Sequence, residues 1–271
     1  LMLITNEPAF AQLGSDCGVD RIFIDLETLG KLERQGHLDT VISNHSISDI
    51  EAISLAAPQR EILVRINPLN AGTENEIEQV IRAGADIIML PMFGSLEELE
   101  VVVGFKNGRV QFVPLIETKK AVDNIDSILK INGVQCFHIG LNDLHIDYKL
   151  KFMFELLVNG IVKKLTSKLG AAGFEYGIGG VARMDEGDIP GKAVLAEYVR
   201  LNSKAVILSR SFHRYSSTKY DSSKTSNLMD DISMLRKLES EFNKRSESEI
   251  LEDKLIFDRT VMAVVGDLKD D

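Results

Sequence analysis

The sequence is poor in the features that mark several classes of protein. It has only two cysteines in 271 residues, Cys17 and Cys136. Their wide separation argues against a disulfide framework, so we expect buried thiols in a reducing compartment. Acidic residues outnumber basic ones by 41 to 31, and no block of lysine and arginine stands out. This balance indicates that the chain does not bind nucleic acid.

Long apolar runs are also missing. The longest, such as 87–93, fall far below the roughly 20 residues that span a bilayer. The N-terminal residues lack the basic and apolar pattern of a secretory signal. We therefore expect a cytoplasmic protein that does not act at a membrane.

What the sequence does contain is a regular series of short apolar runs. Near-continuous apolar character is what a strand buried on both faces requires. Helix-like stretches separate the runs, as in an α/β protein. The runs predict eight strands, at 2–4, 21–25, 62–66, 86–90, 110–116, 136–139, 174–178 and 205–208.

The stretches between these runs have helical periodicity. Residues 74–83 place apolar side chains on one face, Ser95 and Glu98 form a capping box, and 121–131 and 150–169 predict further helices. Eight strand-then-helix units over about 215 residues predict a (β/α)8 TIM barrel. A doubly wound open sheet is the competing architecture, but no Gly-x-Gly-x-x-Gly turn follows the first strand.

The last part of the chain predicts a helical extension of the barrel. We assign residues 1–215 to the barrel, 216–227 to a polar linker and the rest to a hairpin of two amphipathic helices. Such a hairpin must bury its apolar stripe on its own barrel or on a neighbouring subunit, and we favour a homo-oligomer. The stripe residues are Leu228, Ile232, Leu235, Leu238 and Phe242 in the first helix, and Ile250, Leu251, Leu255, Val261, Met262 and Val265 in the second.

Residues with functional potential follow most of the predicted strands. Barrel enzymes carry their reactive groups at the C-terminal ends of the strands. Polar or glycine residues stand at these ends in strands two, three, five, six, seven and eight. In strand order they are Asp25 and Glu27, Arg65 and Asn67, Glu117, Asn142 and Asp143, Gly179, Gly180 and Arg183, and Ser209 and Arg210.

Glu117 and Asp143 form the sharpest pair among them. Their separation of 26 positions is enough for one helix and one returning strand, which brings both carboxylates to the same mouth of a barrel. Two carboxylate ligands, completed by water and substrate oxygens, suit Mg²⁺ or Mn²⁺. The alternative is that each carboxylate only stabilises the N-terminus of a helix.

Five motifs occur in the order expected for one family. Together they resemble the HpcH/HpaI aldolase and citrate lyase β-subunit family, well over about residues 20–145 and loosely over the rest of the barrel. The motifs are Ile-Asp-Leu-Glu at 24–27, Val-Arg-Ile-Asn-Pro at 64–68, Leu-Pro-Met at 90–92, Leu-Ile-Glu-Thr at 115–118 and His-Ile-Gly-Leu-Asn-Asp-Leu at 138–144.

The resemblance implies an activity and a set of site residues. Glu117 and Asp143 would bind a divalent metal, Mg²⁺ or Mn²⁺, and Arg65 would bind substrate and act in catalysis. The implied function is a metal-dependent carbon–carbon lyase of the class II aldolase type, with a 4-hydroxy-2-oxo acid as substrate or product and pyruvate as enolate partner. Its ligands would be small oxo acids or aldehydes. The alternatives are an acyl-CoA lyase of the citrate or malyl-CoA type, and a non-catalytic barrel that binds a small acid or a partner chain.

The sequence departs from the family at the position of the general base. The aldolase branch has a histidine directly after the glutamate of strand two, where this chain has Thr28, which does not titrate near neutrality. Either His37 or His45, from the long segment that follows, is the catalytic base, or the chemistry differs. A surface role is the alternative for each. We expect His138, inside the sixth strand, to be structural.

Two further groups are assigned supporting roles. The resemblance implies that Asp25 and Glu27 support the arginine or hold water around the metal rather than ligate it. Gly179 and Gly180 would let the backbone approach a ligand closely, and with Arg183 they predict a site for a phosphate or a second carboxylate. A tight turn explains the glycines almost as well.

Overall fold

Eight parallel strands pair in sequence order and close into a barrel in the computed structural model, which describes residues 1–31, 44–216 and 222–268. The predicted (β/α)8 barrel is thereby confirmed. The strands are β1 (Met2–Ile4), β2 (Arg21–Asp25), β3 (Glu61–Arg65), β4 (Ile87–Leu90), β5 (Gln111–Ile116), β6 (Cys136–Ile139), β7 (Glu175–Val181) and β8 (Ala205–Leu208).

Helices lie between the strands, and two long helices form the C-terminal extension. None of the helices in the described ranges has both the length and the apolar character that crossing a bilayer requires. They are α1 (Pro8–Asp16), α2 (Ile47–Ala56), α3 (Thr73–Arg82), α4 (Leu96–Lys106), α5 (Lys119–Asp123), α6 (Ile125–Ile128), α7 (Leu141–Asp147), α8 (Glu155–Val158), α9 (Ile161–Ala171), α10 (Gly191–Arg200), a 3-10 helix (Arg210–Tyr215), α11 (Ser222–Phe242) and α12 (Glu247–Asp267).

Alternation along the strands separates the core into two layers. Successive side chains of a strand point to opposite faces, so Phe23, Leu63 and Leu115 fill the centre of the barrel. Their neighbours Ile22 and Ile24 belong to the larger core between strands and helices. The same alternation, continued toward the C-terminal ends of the strands, directs every second residue into the mouth of the barrel.

Two predicted helices are broken by single residues. The prediction at 121–131 becomes α5 and α6, which Asn124 separates; its Nδ2 donates to the carbonyl of Gly94 at 2.8 Å, and its backbone leaves the helical region. The prediction at 150–169 becomes α8 and α9, and Gly160 between them has a φ of 82°. This left-handed conformation ends the first helix and favours glycine.

The first helix of the C-terminal hairpin packs on its own barrel. α11 begins inside the stretch predicted as linker, and 217–221 lie outside the described residues. Leu228, Ile232 and Leu235 are buried in the same core as the residues of α10. The apolar stripe of this helix therefore needs no second subunit to cover it.

The second helix differs from its predicted pattern. α12 starts with a capping box formed by Ser246 and Glu249. It buries Val261, as predicted, and also Phe257, while Leu251 stays exposed. The face toward the barrel is therefore rotated away from the stripe chosen by sequence.

We expect the Asp231→Ala variant to loosen the hairpin. Asp231 accepts hydrogen bonds from Arg183 at 2.5 and 3.2 Å and from the Tyr215 hydroxyl at 2.7 Å. Hydrogen bonds to charged groups contribute about 1.5–3 kcal/mol, so the free energy of unfolding should fall by about 2 kcal/mol. Urea denaturation measures this loss. Asp230→Ala, at the exposed neighbouring position, is the matched control, and equal stability of the two variants would contradict the assignment.

Candidate active site

Six charged side chains meet at the C-terminal mouth of the barrel. Asp25 and Arg65 end β2 and β3 and are paired in register. Glu27 and Glu117 follow β2 and β5 at positions that alternation turns inward. They form one cluster, because the charges of Asp143, Glu27 and Arg65 all shift the pKa of Glu117. The cluster consists of the carboxylates Asp25, Glu27, Glu117 and Asp143 and the cations Lys31 and Arg65.

Asp25 holds Arg65 with a bidentate ion pair. The guanidinium donates from Nε to Oδ1 and from Nη2 to Oδ2, both at 2.9 Å, and Nε lies 3.4 Å from Oε2 of Glu27. Burial raises the pKa of Asp25, but Arg65 and Lys31 outweigh it and hold that pKa below its usual range. Arg65, which the sequence predicts to bind substrate, therefore directs two of its N–H groups at Asp25.

Lys31 is a site residue that sequence reasoning missed. Its side chain is buried, and Nζ lies 2.7 Å from Oδ2 of Asp25 and 3.7 Å from Oε2 of Glu27. A buried lysine is rare unless it is paired. The only signal in the sequence was its position four residues after Glu27, a spacing that commonly supports an ion pair.

Glu117 is held in place by backbone on two sides. Its Oε1 accepts a hydrogen bond at 3.1 Å from the N–H of Met92, a residue whose φ of 56° lies in the left-handed region. On the other side, a Cβ at Gly140 would lie 2.8 Å from Oε2 of Glu117. A glycine is therefore required at position 140 to leave room for the carboxylate.

Asp143 is buried, and it is close enough to Glu117 for its charge to act on that carboxyl group. It stands in the first turn of α7, directly after β6. Burial raises the pKa of Glu117 well above its usual value, and the negative charges of Asp143 and Glu27 raise it further. The structure thus brings together the two carboxylates that the sequence predicts as a metal pair. Their mutual repulsion is the kind that a cation placed between them would reduce.

The donor set of this mouth fits a divalent cation. Four buried carboxylates and two cations make up this cluster, so its six side chains carry a formal charge of −2 when all are ionised. Carboxylate oxygens are the ligands that Mg²⁺ and Mn²⁺ prefer. No group of three His, Cys, Asp or Glu side chains within the described ranges is arranged to hold a metal. Glu117 and Asp143 would therefore need water or substrate oxygens to complete the coordination.

His45 is not suited to the predicted role of general base. Its Nδ1 accepts a hydrogen bond at 3.0 Å from the backbone N–H of Asp25, so the lone pair at that nitrogen is in use and the neutral ring carries its proton on Nε2. Burial lowers the pKa of His45 as well. The other candidate base, His37, lies outside the described residues.

Thr28, which stands where the aldolase branch has histidine, belongs to a hydrogen-bonded turn. Oδ1 of Asn67 accepts from the backbone N–H of Thr28 at 3.0 Å and of Leu29 at 3.1 Å. Asn67 is fixed in turn by Glu76, which accepts from its Nδ2 at 2.8 Å. Asn67 therefore organises the loop after β2 rather than the reacting groups.

The glycines predicted to bind a ligand after β7 lie inside that strand. β7 continues to Val181, so Gly179 and Gly180 lie inside the strand, next to a register irregularity. A Cβ at Gly179 would lie 2.6 Å from the Tyr198 hydroxyl, and one at Gly180 would lie 3.2 Å from the carbonyl of Ile207. The tight-turn alternative is replaced by a packing role, because both glycines make room for the protein's own groups.

Arg183 is also not available for a substrate anion. Its guanidinium is bound by Asp231 of α11 and by Glu186, which accepts at 2.8 Å. Its predicted role in anion binding is therefore replaced by attachment of the C-terminal hairpin. His138 is structural as expected, since it is buried, contacts the carbonyl of Gly179 at 3.2 Å and has a pKa that burial lowers to about 4.

Comparisons with family models and with curated proteins gave one match, to a family model. A model of the family described as HpcH/HpaI aldolase/citrate lyase matches residues 1–155, more than half of the chain. A search of the curated proteins found no match.

Several solved structures share the fold. An HpcH/HpaI aldolase from Desulfitobacterium hafniense DCB-2 matches with a TM-score of 0.60 at 18% identity, over 77% of this chain and 85% of that one. An HpcH/HpaI aldolase/citrate lyase family protein from Burkholderia cenocepacia J2315 matches with a TM-score of 0.62 at 15% identity, over 88% and 93%. The citrate synthase SbnG matches with a TM-score of 0.58 at 16% identity, over 89% and 93%. At these identities the likeness establishes the fold.

We expect Asp25→Asn to destabilise the protein more than Lys31→Met. Loss of the Asp25 charge leaves both buried cations without their main partner, which costs about 3–5 kcal/mol. In Lys31→Met, Asp25 keeps both hydrogen bonds from Arg65, so we expect a loss of about 2 kcal/mol. Urea denaturation of both variants measures the difference. Equal losses would show that Asp25 is not the centre of the network.

Proposed function

This chain belongs to the HpcH/HpaI aldolase/citrate lyase family, and we propose that it is a divalent-metal-dependent carbon–carbon lyase of the class II aldolase type. It would cleave or form a 4-hydroxy-2-oxo acid, with pyruvate as the partner that reacts at its methyl carbon. The observation that carries this proposal is the pair of buried carboxylates, Glu117 and Asp143, at the mouth that also contains Arg65.

Glu117 and Asp143 would hold Mg²⁺ or Mn²⁺. When bound there, the ion would act as a Lewis acid toward the carboxylate and keto oxygens of the oxo acid. Burial and the negative charges of Asp143 and Glu27 raise the pKa of Glu117, and a bound cation would relieve this repulsion, which supports the assignment. Gly140 and the N–H of Met92 fix the Glu117 carboxylate in one orientation before any ligand binds.

Arg65 would stabilise negative charge that develops on the substrate. Asp25 uses two of its five N–H donors, which leaves Nη1 and one proton of Nη2. The guanidinium also lies over the ring of Phe23, with Cζ 5.6 Å from the ring centroid. A cation that is oriented in advance needs no reorganisation during the reaction, and this is the main advantage of an enzyme site over water.

His37 remains our predicted proton acceptor for the hydroxyl of the partner substrate. Two observations support looking for it there: Thr28 is engaged by Asn67, and Nδ1 of His45 is engaged by Asp25. The same two observations support a second candidate function, a barrel that binds a small acid without catalysing a reaction.

Proton exchange at the methyl group of pyruvate tests the proposal. We expect the protein with Mg²⁺ or Mn²⁺ in deuterated buffer to exchange these protons, measured by NMR, and Glu117→Gln to slow the exchange by at least about 100-fold. Exchange that persists in Glu117→Gln would contradict the assigned site. Absence of exchange in the metal-loaded protein would favour the non-catalytic binder, and exchange of acetyl-CoA instead of pyruvate would favour the acyl-CoA lyase.

Metal affinity tests the ligands without reference to activity. We expect Asp143→Asn to weaken Mn²⁺ binding by at least about tenfold, a loss of roughly 1.4 kcal/mol, because a neutral amide replaces one of two anionic ligands. Electron paramagnetic resonance of the unbound Mn²⁺ gives the affinity. Asp230→Asn, at an exposed position of α11, is the control variant. Equal affinity of the two variants would remove Asp143 from the site.

A further inference from the structure

The two carboxylates assigned to the metal stand on separate elements, and a hydrogen bond joins these elements beside the site. Glu117 lies between β5 and α5, and Asp143 stands in the first turn of α7. Asp147, the last residue of α7, accepts at 2.6 Å through Oδ2 from the backbone N–H of Lys119, the first residue of α5. Lys119 is two positions after Glu117, and Asp147 is four positions after Asp143, about one helical turn.

Lys119 contacts the end of α7 with its backbone and with its side chain. The first N–H groups of a helix have no partner within the helix, and an ionised carboxylate is a stronger acceptor for them than a neutral group. Nζ of Lys119 also lies 5.8 Å from the centre of the Tyr148 ring, directly after Asp147, which is within the range of a cation–π contact. Asp147 therefore has a specific partner although it is exposed.

The loop that carries Glu117 is attached to the rest of the mouth in two directions. Oγ1 of Thr118 donates to the carbonyl of Phe93 at 2.8 Å, which ties the loop to the segment after β4. The hydrogen bond to Asp147 ties the same loop to α7, the element that carries Asp143. The position of Glu117 relative to Asp143 thus depends on the second of these attachments.

Such an attachment is needed because Glu117 and Asp143 repel one another when both are ionised, and the protein interior screens this repulsion poorly. We propose that Asp147 is a positioning residue, which holds Asp143 in place relative to Glu117 so that both carboxylates bind one divalent cation. It acts through the backbone of Lys119 and is not itself a ligand. This role rests on the proposed function, because it presupposes a cation bound by Glu117 and Asp143.

The Mn²⁺ affinity of two variants tests this role. We expect Asp147→Ala to weaken Mn²⁺ binding by about tenfold, and Asp147→Asn to stay within about threefold of the wild type, because the amide oxygen can accept the same hydrogen bond. Asp230→Ala, which removes an exposed carboxylate of α11, controls for the loss of one charge and should leave the affinity unchanged. Urea denaturation checks that each variant is folded. Equal losses of affinity in Asp147→Ala and Asp147→Asn would overturn the proposal.

Hydrogen exchange of the Lys119 amide tests the hydrogen bond in the metal-free protein. We expect NMR to show exchange at least about threefold faster in Asp147→Ala than in the wild type, since the N–H loses its acceptor. Unchanged exchange would overturn the proposal. Faster exchange with wild-type Mn²⁺ affinity would also overturn it, because Asp147 would then only stabilise the start of α5. A wild type that binds no Mn²⁺ would overturn the proposed function and this role with it.

Discussion

Four buried carboxylates and two cations lie together at the mouth of this barrel, and the rest of the candidate site is arranged around these charges. Buried like charges repel strongly because protein interiors screen them poorly. Arg65 and Lys31 compensate Asp25 and Glu27, which lie within ion-pair distance of them. Burial and the negative charges of Asp143 and Glu27 raise the pKa of Glu117 well above its usual value. A divalent cation is the ligand whose charge would balance the cluster.

The network also explains why the site has a fixed geometry before substrate arrives. Asp25 uses its two oxygens to hold the guanidinium of Arg65 and the ammonium of Lys31. Backbone groups hold Glu117 from both sides. Orientation supplied by folding lowers the entropy lost in reaching a reactive arrangement. Much of the polar sequence around the barrel mouth therefore serves to position a few groups.

Sequence reasoning found the barrel and the strand-end residues because one rule governs both. Alternation along buried strands places Phe23 in the core and Asp25 in the mouth, and it can be read from the chain alone. It could not find Lys31, whose burial depends on the packing of a loop against two strands. It also misassigned Arg183, which follows β7, because its partner Asp231 is 48 residues away on helix α11. Roles set by such distant contacts leave no local pattern in the sequence.

The most direct test of the account is a crystal structure grown with Mn²⁺, examined by anomalous diffraction. We expect a single strong anomalous peak at the barrel mouth, at roughly 2 Å from a carboxylate oxygen of Glu117 and of Asp143. Arg65 should remain bound to Asp25 beside it. A mouth without a peak, or with the two carboxylates turned away from one another, would contradict the central claim.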